Sequence, residues 1–256
     1  MLQDIRGFIF DLDGCVWNGN TLNPGAGETL DRLMRAGRGV AFLTNNSRST
    51  AADILGRLQA LGVTAARHAL TPLDILGTVL TERFGVSRVL VIGAPEMAAV
   101  IAAAGHELVD VKDSARASAV AVGNDFELTY ERLTAACRVA ARTGALITPN
   151  VDPRLPIEGG DFLPGCGAIV ASVATAASVV PVVVGKPEPP LFRIALERLG
   201  LSASDAVMVG DSLPSDIRGA RGVGMRTVLY APDGPATSEA DYTIGSFAEL
   251  ARLAGV

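Results

Sequence analysis

The sequence predicts an α/β protein whose core is a doubly wound parallel sheet, with a second α/β unit inserted into it. Three observations lead there. Short β-branched or aromatic runs alternate with segments of helical periodicity at both ends of the chain, acidic and amide residues stand just past those runs, and about a hundred residues with strands and helices of their own lie between.

The run Phe8-Ile9-Phe10 reads as a buried strand ending at Asp11, and residues 28–36 read as a helix with Leu30, Leu33 and Met34 on its apolar stripe. Val40-Ala41-Phe42-Leu43 reads as the next strand, ending at Thr44. Residues 51–61 then form a helix facing the core through Ile54, Leu55, Leu58 and Leu61. This βαβα order implies parallel strands with helices on the sheet faces. The far end repeats it: a strand at 182–184, a helix opened by Pro189 and Pro190 and reaching Leu199, a strand at 207–209, a helix at 215–220 and a strand at 227–230. Both ends are expected to share one Rossmann-like sheet, which assigns residues 1–77 and 182–256 to the core. The insert, 78–181, carries expected strands at 89–92, 119–122 and 145–148 and helices at 95–104 and 129–142, enough for a core of its own as an α/β cap.

The formal charge of −5, without any block of Lys and Arg, argues against a nucleic-acid polymer or an anionic membrane as partner and favours a small soluble substrate. Cys15, Cys137 and Cys166 are odd in number and lack metal-ligand spacing, which fits a reducing compartment, so the cytoplasm is expected. Asp4 and Arg6 stand where a secretory leader needs an apolar stretch. Residues 162–185 carry no charge and are long enough to span a bilayer. Their interior is Gly, Ala, Ser and Thr and is divided by Pro181, so they read instead as a small-residue helix at 167–177 followed by a buried strand.

Asp11 and Asp13 are two residues apart at the end of a buried strand, and Gly14 lets the chain turn away. Carboxylates this close repel unless a cation offsets them. Asp211 and Asp216 add negative charge, while Lys186 is the one obvious cation. Hard oxygen ligands without a nearby His or thiolate favour Mg²⁺, which would also screen an incoming phosphate. With such an ion, one carboxylate can attack phosphorus while the other protonates the leaving alkoxide and later activates water. The Thr44 hydroxyl, the Asn45 backbone N–H and Lys186 are suited to donate to the phosphoryl oxygens.

Asp11-Leu12-Asp13-Gly14, Thr44-Asn45-Asn46, Gly185-Lys186-Pro187 and Gly210-Asp211-Ser212-Leu213-Pro214-Ser215-Asp216 resemble the four ordered motifs of the haloacid dehalogenase superfamily. The stretch 13–17 with Pro24-Gly25-Ala26, the Asn45-Asn46-Ser47 variant, and an insert containing Leu163-Pro164-Gly165 and Gly167 resemble its NagD and p-nitrophenylphosphatase branch. The resemblance covers essentially the whole chain. It implies Asp11 as nucleophile and metal ligand, Asp13 as general acid/base giving the metal its backbone carbonyl, and Asp211 as a further ligand. It also implies Thr44 and Asn45 as phosphate binders, Lys186 bridging Asp11 and phosphate, and Asn46, Ser212 and Asp216 in the surrounding shell. The loop 150–158 matches one that leans over the phosphate, making Asp152, Arg154 and Glu158 candidate substrate contacts. Dimerisation through the cap is common in the resembling branch.

Plainer readings stand beside these. A lone Asp-x-Asp is usually a turn feature, whereas four motifs in order at strand ends are a specific signal. Asp216 competes as a cap of the helix after it. Arg154 and Glu158 read equally as solvated loop residues, Trp17 as packing under the first loop, and His68 and His106 as surface or structural residues. The implied activity is Mg²⁺-dependent hydrolysis of a small phosphorylated metabolite, and of p-nitrophenyl phosphate, through an aspartyl-phosphate on Asp11. A phospho-receiver-like signalling domain and a catalytically idle phosphometabolite-binding regulator are the alternatives.

Overall fold

The structure, a computed structural model, describes residues 1–156 and 161–256. Contacts divide it into two compact units: Met1–Thr44 with Ala51–Leu70 and Lys186–Val256, and Asn45–Thr50 with Thr71–Gly185.

The first unit is built on a six-stranded sheet in which every pairing is parallel. Across the sheet the strands run His68–Leu70, Gly39–Leu43, Gly7–Asp11, Ala206–Gly210, Arg226–Tyr230 and Tyr242–Ile244. Numbered along the chain, that order is 3-2-1-4-5-6, the doubly wound arrangement, and the winding reverses between Gly7–Asp11 and Ala206–Gly210. All five residues of each of these two central strands are buried. This is why they read as unbroken apolar runs rather than alternating ones. Phe10 anchors the core on one face, its ring 6.2 Å from that of Phe42 and 6.4 Å from that of Phe247. The expected helices form as Ala26–Arg35, Ala51–Ala60 and Pro189–Leu199, with Leu30, Leu33, Ile54, Leu58, Leu191 and Phe192 buried. The expected helix at 215–220 begins as a single wide turn, Leu213–Ile217, and continues as Arg218–Gly222.

The second unit holds a five-stranded parallel sheet in the order Glu107–Val109, Arg88–Ile92, Ala119–Val122, Leu146–Thr148, Val182–Val183. Its helices include Leu73–Phe84, Pro95–Ala103, Tyr130–Thr143 and Cys166–Ala177. Here the structure corrects one expectation. The valines at 182–184 do not join the core sheet: Val182 and Val183 pair with Ile147 and Thr148 as an edge strand of the second sheet. Both are only half-buried, and the Val184 and Gly185 N–H groups extend the pairing to the carbonyls of Thr148 and Pro149. A short valine run carries no mark of which sheet it will edge, because register partners are chosen by the tertiary fold.

The uncharged stretch from 162 onward resolves into the strand Phe162–Pro164, the helix Cys166–Ala177 and that edge strand. Among the described residues no helix is long and apolar enough to cross a membrane.

Candidate active site

In an open α/β sheet the crevice past the carboxyl ends of the strands, where the winding reverses, is the natural binding place. In the first unit the two strands flanking that point end in Asp11 and in Gly210, which precedes Asp211. Asp11 is 6% exposed. Gly14 adopts φ 93°, and a Cβ there would lie 2.4 Å from Asp211 Oδ2, so only glycine lets the first loop pass so close to the second acidic motif. Gly210 serves similarly, since a Cβ on it would lie 2.3 Å from Asp216 Oδ2.

Lys186, 2% exposed, ties the pieces together. Its Nζ donates to Asp11 Oδ1 at 2.5 Å, to Asp216 Oδ1 at 2.7 Å and to the Leu43 carbonyl at 3.4 Å. Asp216 is fully buried, and its second oxygen accepts from the Ser212 backbone N–H at 3.0 Å. Helix capping falls instead to Ser212, whose Oγ accepts from the Ser215 N–H at 3.4 Å. Asp13 is more open. Its Oδ2 accepts from the Thr44 hydroxyl at 3.3 Å, and its Oδ1 accepts from the Trp17 indole N–H at 2.8 Å.

Carboxylate oxygens of Asp11, Asp211 and Asp216 lie within 4.8 Å of one another. Counted as ionised, three carboxylates against one ammonium amount to a formal surplus of two negative charges in the cluster. The electrostatics follow. Burial pushes Asp11 well above the usual carboxylate range, and Asp216 and Asp211 add to it, against the pull of Lys186. Burial works to lower Lys186, but Asp11 and Asp216 outweigh it and hold the ammonium firmly protonated. Asp211 is raised by partial withdrawal of its carboxylate from water and then by the Asp216 charge, although the residue as a whole remains solvent-exposed. Beneath them Cys15 is pushed far up by burial, so it stays a thiol donating to the Val209 carbonyl and offers no soft ligand. An all-oxygen set with a surplus of two negative charges fits a hard dication such as Mg²⁺.

Asn45, Asn46, Asp152, Arg154 and His106 lie in the second unit. Asn45 Nδ2 donates to Asp152 Oδ1 at 3.4 Å, and Asn150 Nδ2 donates to the Asn45 carbonyl at 2.7 Å, so two stretches a hundred residues apart meet there. Asn46 Oδ1 accepts from the backbone N–H groups of Arg48 and Ser49, which shapes the turn after Thr44. Arg154 sits on a two-stranded ribbon, Arg154–Pro156 with Phe162–Pro164, its guanidinium 4.2 Å from the centre of the Phe162 ring. Glu158 lies outside the described residues. His106 is structural: its Nδ1 accepts from the Ser87 N–H at 3.1 Å.

Trp17 is the residue that the sequence reading undervalued. It is fully buried, as packing requires, but its N–H goes to Asp13. The signal was present, because a buried indole needs an acceptor and Asp13 stands four residues back across a glycine turn.

Comparison with known proteins agrees with this geometry. Residues 8–107 match the haloacid dehalogenase-like hydrolase family and residues 183–246 match a second HAD-hydrolase-like description. Mouse (Mus musculus) chronophin is 36% identical over 238 residues, covering 90% of this chain and 82% of its own. The solved 4-nitrophenylphosphatase of Thermotoga maritima is 30% identical with a TM-score of 0.85, covering 99% of this chain and 98% of its own. A glycerol phosphate phosphatase of Mycobacterium tuberculosis, solved in complex with magnesium, is 29% identical with a TM-score of 0.83, covering 97% of this chain and 78% of its own. With the doubly wound order, the acidic cluster at its switch point and these relatives in agreement, the chain belongs to the haloacid dehalogenase-like hydrolases, among the NagD- and p-nitrophenylphosphatase-like phosphatases.

Proposed function

We propose that the protein is a Mg²⁺-dependent, cytoplasmic phosphomonoesterase that takes a small phosphorylated metabolite and works through an aspartyl-phosphate on Asp11. The observation that carries this reading is the buried Asp11–Lys186–Asp216 chain with Asp211 beside it. Asp11, Asp211 and the Asp13 backbone carbonyl would hold the ion, and a bound Mg²⁺ would offset the charge of a phosphate dianion entering this acidic crevice.

Lys186 occupies Asp11 Oδ1, which leaves Oδ2 to attack phosphorus. As the new O–P bond forms and the ester P–O bond breaks, Asp13 gives its proton to the departing alkoxide. Asp13 then takes a proton from the water that attacks the aspartyl-phosphate, releasing inorganic phosphate and restoring Asp11. The Thr44 hydroxyl and the Lys186 ammonium are suited to steady the charge on the phosphoryl oxygens. The bland assignment of Asp216 as a helix cap gives way to an anchoring role, holding Lys186 against Asp11. A receiver-like or idle binding role would not need a second carboxylate two residues from the nucleophile.

Turnover of p-nitrophenyl phosphate and of a panel of phosphorylated metabolites, with Mg²⁺ and after chelation, tests the reading; equal turnover in both arms would sink it. A second check needs no turnover. Mg²⁺ at a hundredfold excess over its Kd should add about 2.7 kcal/mol to stability and raise the melting temperature by roughly 5–10 °C. Asp211→Asn should lose most of that gain, yet melt no lower than wild type when chelated, because it removes a carboxylate that is partly withdrawn from water and repelled by Asp216. A variant that keeps the full Mg²⁺ shift would take Asp211 out of the ion's coordination.

Substrate choice is proposed to rest on the second unit, with Asp152 and Arg154 as its candidate residues. Arg154→Ala is expected to raise KM for the natural substrate about tenfold while changing KM for p-nitrophenyl phosphate little. An equal change for both would remove Arg154 from specificity.

A further inference from the structure

The geometry points to Trp17 as the residue that positions Asp13 for proton transfer, an inference that rests on the phosphatase reading above. Asp13 itself is exposed, and a short carboxylate at a loop turn would ordinarily sample several rotamers. Its Oδ1, however, meets the Trp17 Nε1–H at 2.8 Å.

That donor is held from three sides. The indole is fully buried, and the Trp17 backbone is pinned to the first loop by Trp17 N–H to the Leu12 carbonyl at 3.0 Å and Gly14 N–H to the Trp17 carbonyl at 2.8 Å. The guanidinium of Arg57, on the helix Ala51–Ala60, lies 4.1 Å from the centre of the indole and also donates to the Gly19 carbonyl. A cation over the ring face stabilises this placement and leaves the N–H edge free to point at Asp13.

An indole N–H can only donate. Oδ1 is therefore kept as an acceptor and Oδ2 is the oxygen left to exchange a proton, because the Thr44 hydroxyl that meets Oδ2 at 3.3 Å, unlike the indole, can rotate to accept as well as donate. From there it passes to the alkoxide when the ester bond breaks, and Oδ2 recovers it from the attacking water, so the cycle returns Asp13 to its starting state. Burial of the indole calls for some acceptor at its N–H, but not for that acceptor to be a carboxylate oxygen of the general acid. Phe would fill the space without the bond.

Dependence on the leaving group separates positioning from packing. Nitrophenolate departs as a stable anion, whereas an alkoxide needs the proton as it leaves, and kcat/KM covers only the steps up to that departure. Trp17 is the one Trp of the chain, so growth on β-(3-benzothienyl)alanine, which has sulfur in place of the N–H, replaces this indole alone. In that protein and in Trp17→Phe, kcat/KM for an alkyl phosphate such as glycerol 3-phosphate should fall about tenfold or more, and that for p-nitrophenyl phosphate less than about threefold. Equal losses on the two esters, or none on either, would overturn the inference. If Trp17→Phe fails to fold, the isosteric replacement still decides. A wild type inert toward both esters would remove the phosphatase reading and this inference with it.

Discussion

Asp11→Asn is expected to abolish turnover of p-nitrophenyl phosphate, lowering kcat by about 10⁴-fold or more while the protein stays folded. The amide is nearly isosteric and can still meet Lys186, but its oxygen is too weak a nucleophile to displace an ester oxygen from phosphorus. The same substitution removes one of the three carboxylates that crowd the switch point, a charge disfavoured first by burial and then by Asp216 and Asp211. The variant should therefore melt no lower than the wild type under chelation. Quenched-flow detection of phosphate bound to protein completes the test: the wild type should accumulate an acyl-phosphate when fed substrate and the variant should not. Retention of more than about a hundredth of wild-type turnover by Asp11→Asn would place the nucleophile elsewhere.

Lys186→Met is expected to cause the largest loss of stability, about 3–5 kcal/mol, because it strands two buried carboxylates that now share one ammonium. The loss should depend on pH, and its sign follows from Asp11. A carboxyl whose folded value lies above its ordinary 3.8 costs the folded state nothing at pH values well below 3.8, costs progressively more as pH rises from 3.8 to the folded value, and costs a constant amount above it. Removing the one cation that pulls Asp11 down enlarges that cost. The difference in melting temperature between Lys186→Met and wild type should thus be small at acid pH and widen toward neutrality. Adding Asp216→Asn to Lys186→Met should recover part of the stability, since one of the stranded charges is gone. A pH-independent gap, or two losses that simply add in the double variant, would show that the three groups are not coupled in this way.

Long apolar periods made most of the architecture readable, and short or uniform ones hid the rest. Phe8-Ile9-Phe10 and Val207-Met208-Val209 read correctly because both central strands are buried on two faces and leave no polar residue to break the run. The helix Leu73–Phe84 escaped notice because Leu73, Ile75, Leu76, Val79 and Leu80 are all buried, which blurs the one-sided stripe that marks a surface helix. The strands His68–Leu70 and Tyr242–Ile244 are three residues each, too short to show a period. The last helix, Phe247–Ala254, could have been found from its start: Ser246 Oγ accepts from the Glu249 N–H, and Glu249 reaches back to the Gly245 N–H.

What the amino-acid order determined by itself was local and chemical: which runs become strands, and that carboxylates, an amide pair and a lysine follow them. A buried strand must be apolar along its length, so polar residues gather where it ends. What only the tertiary structure decided was who meets whom. Val182 and Val183 edge the second sheet, Asp216 holds Lys186 from 30 residues away, and an indole read as filler donates to Asp13. Such pairings depend on distances between segments that have no fixed relation along the chain, and they form only when the sheet order and the turn at Gly14 bring the partners within hydrogen-bond reach.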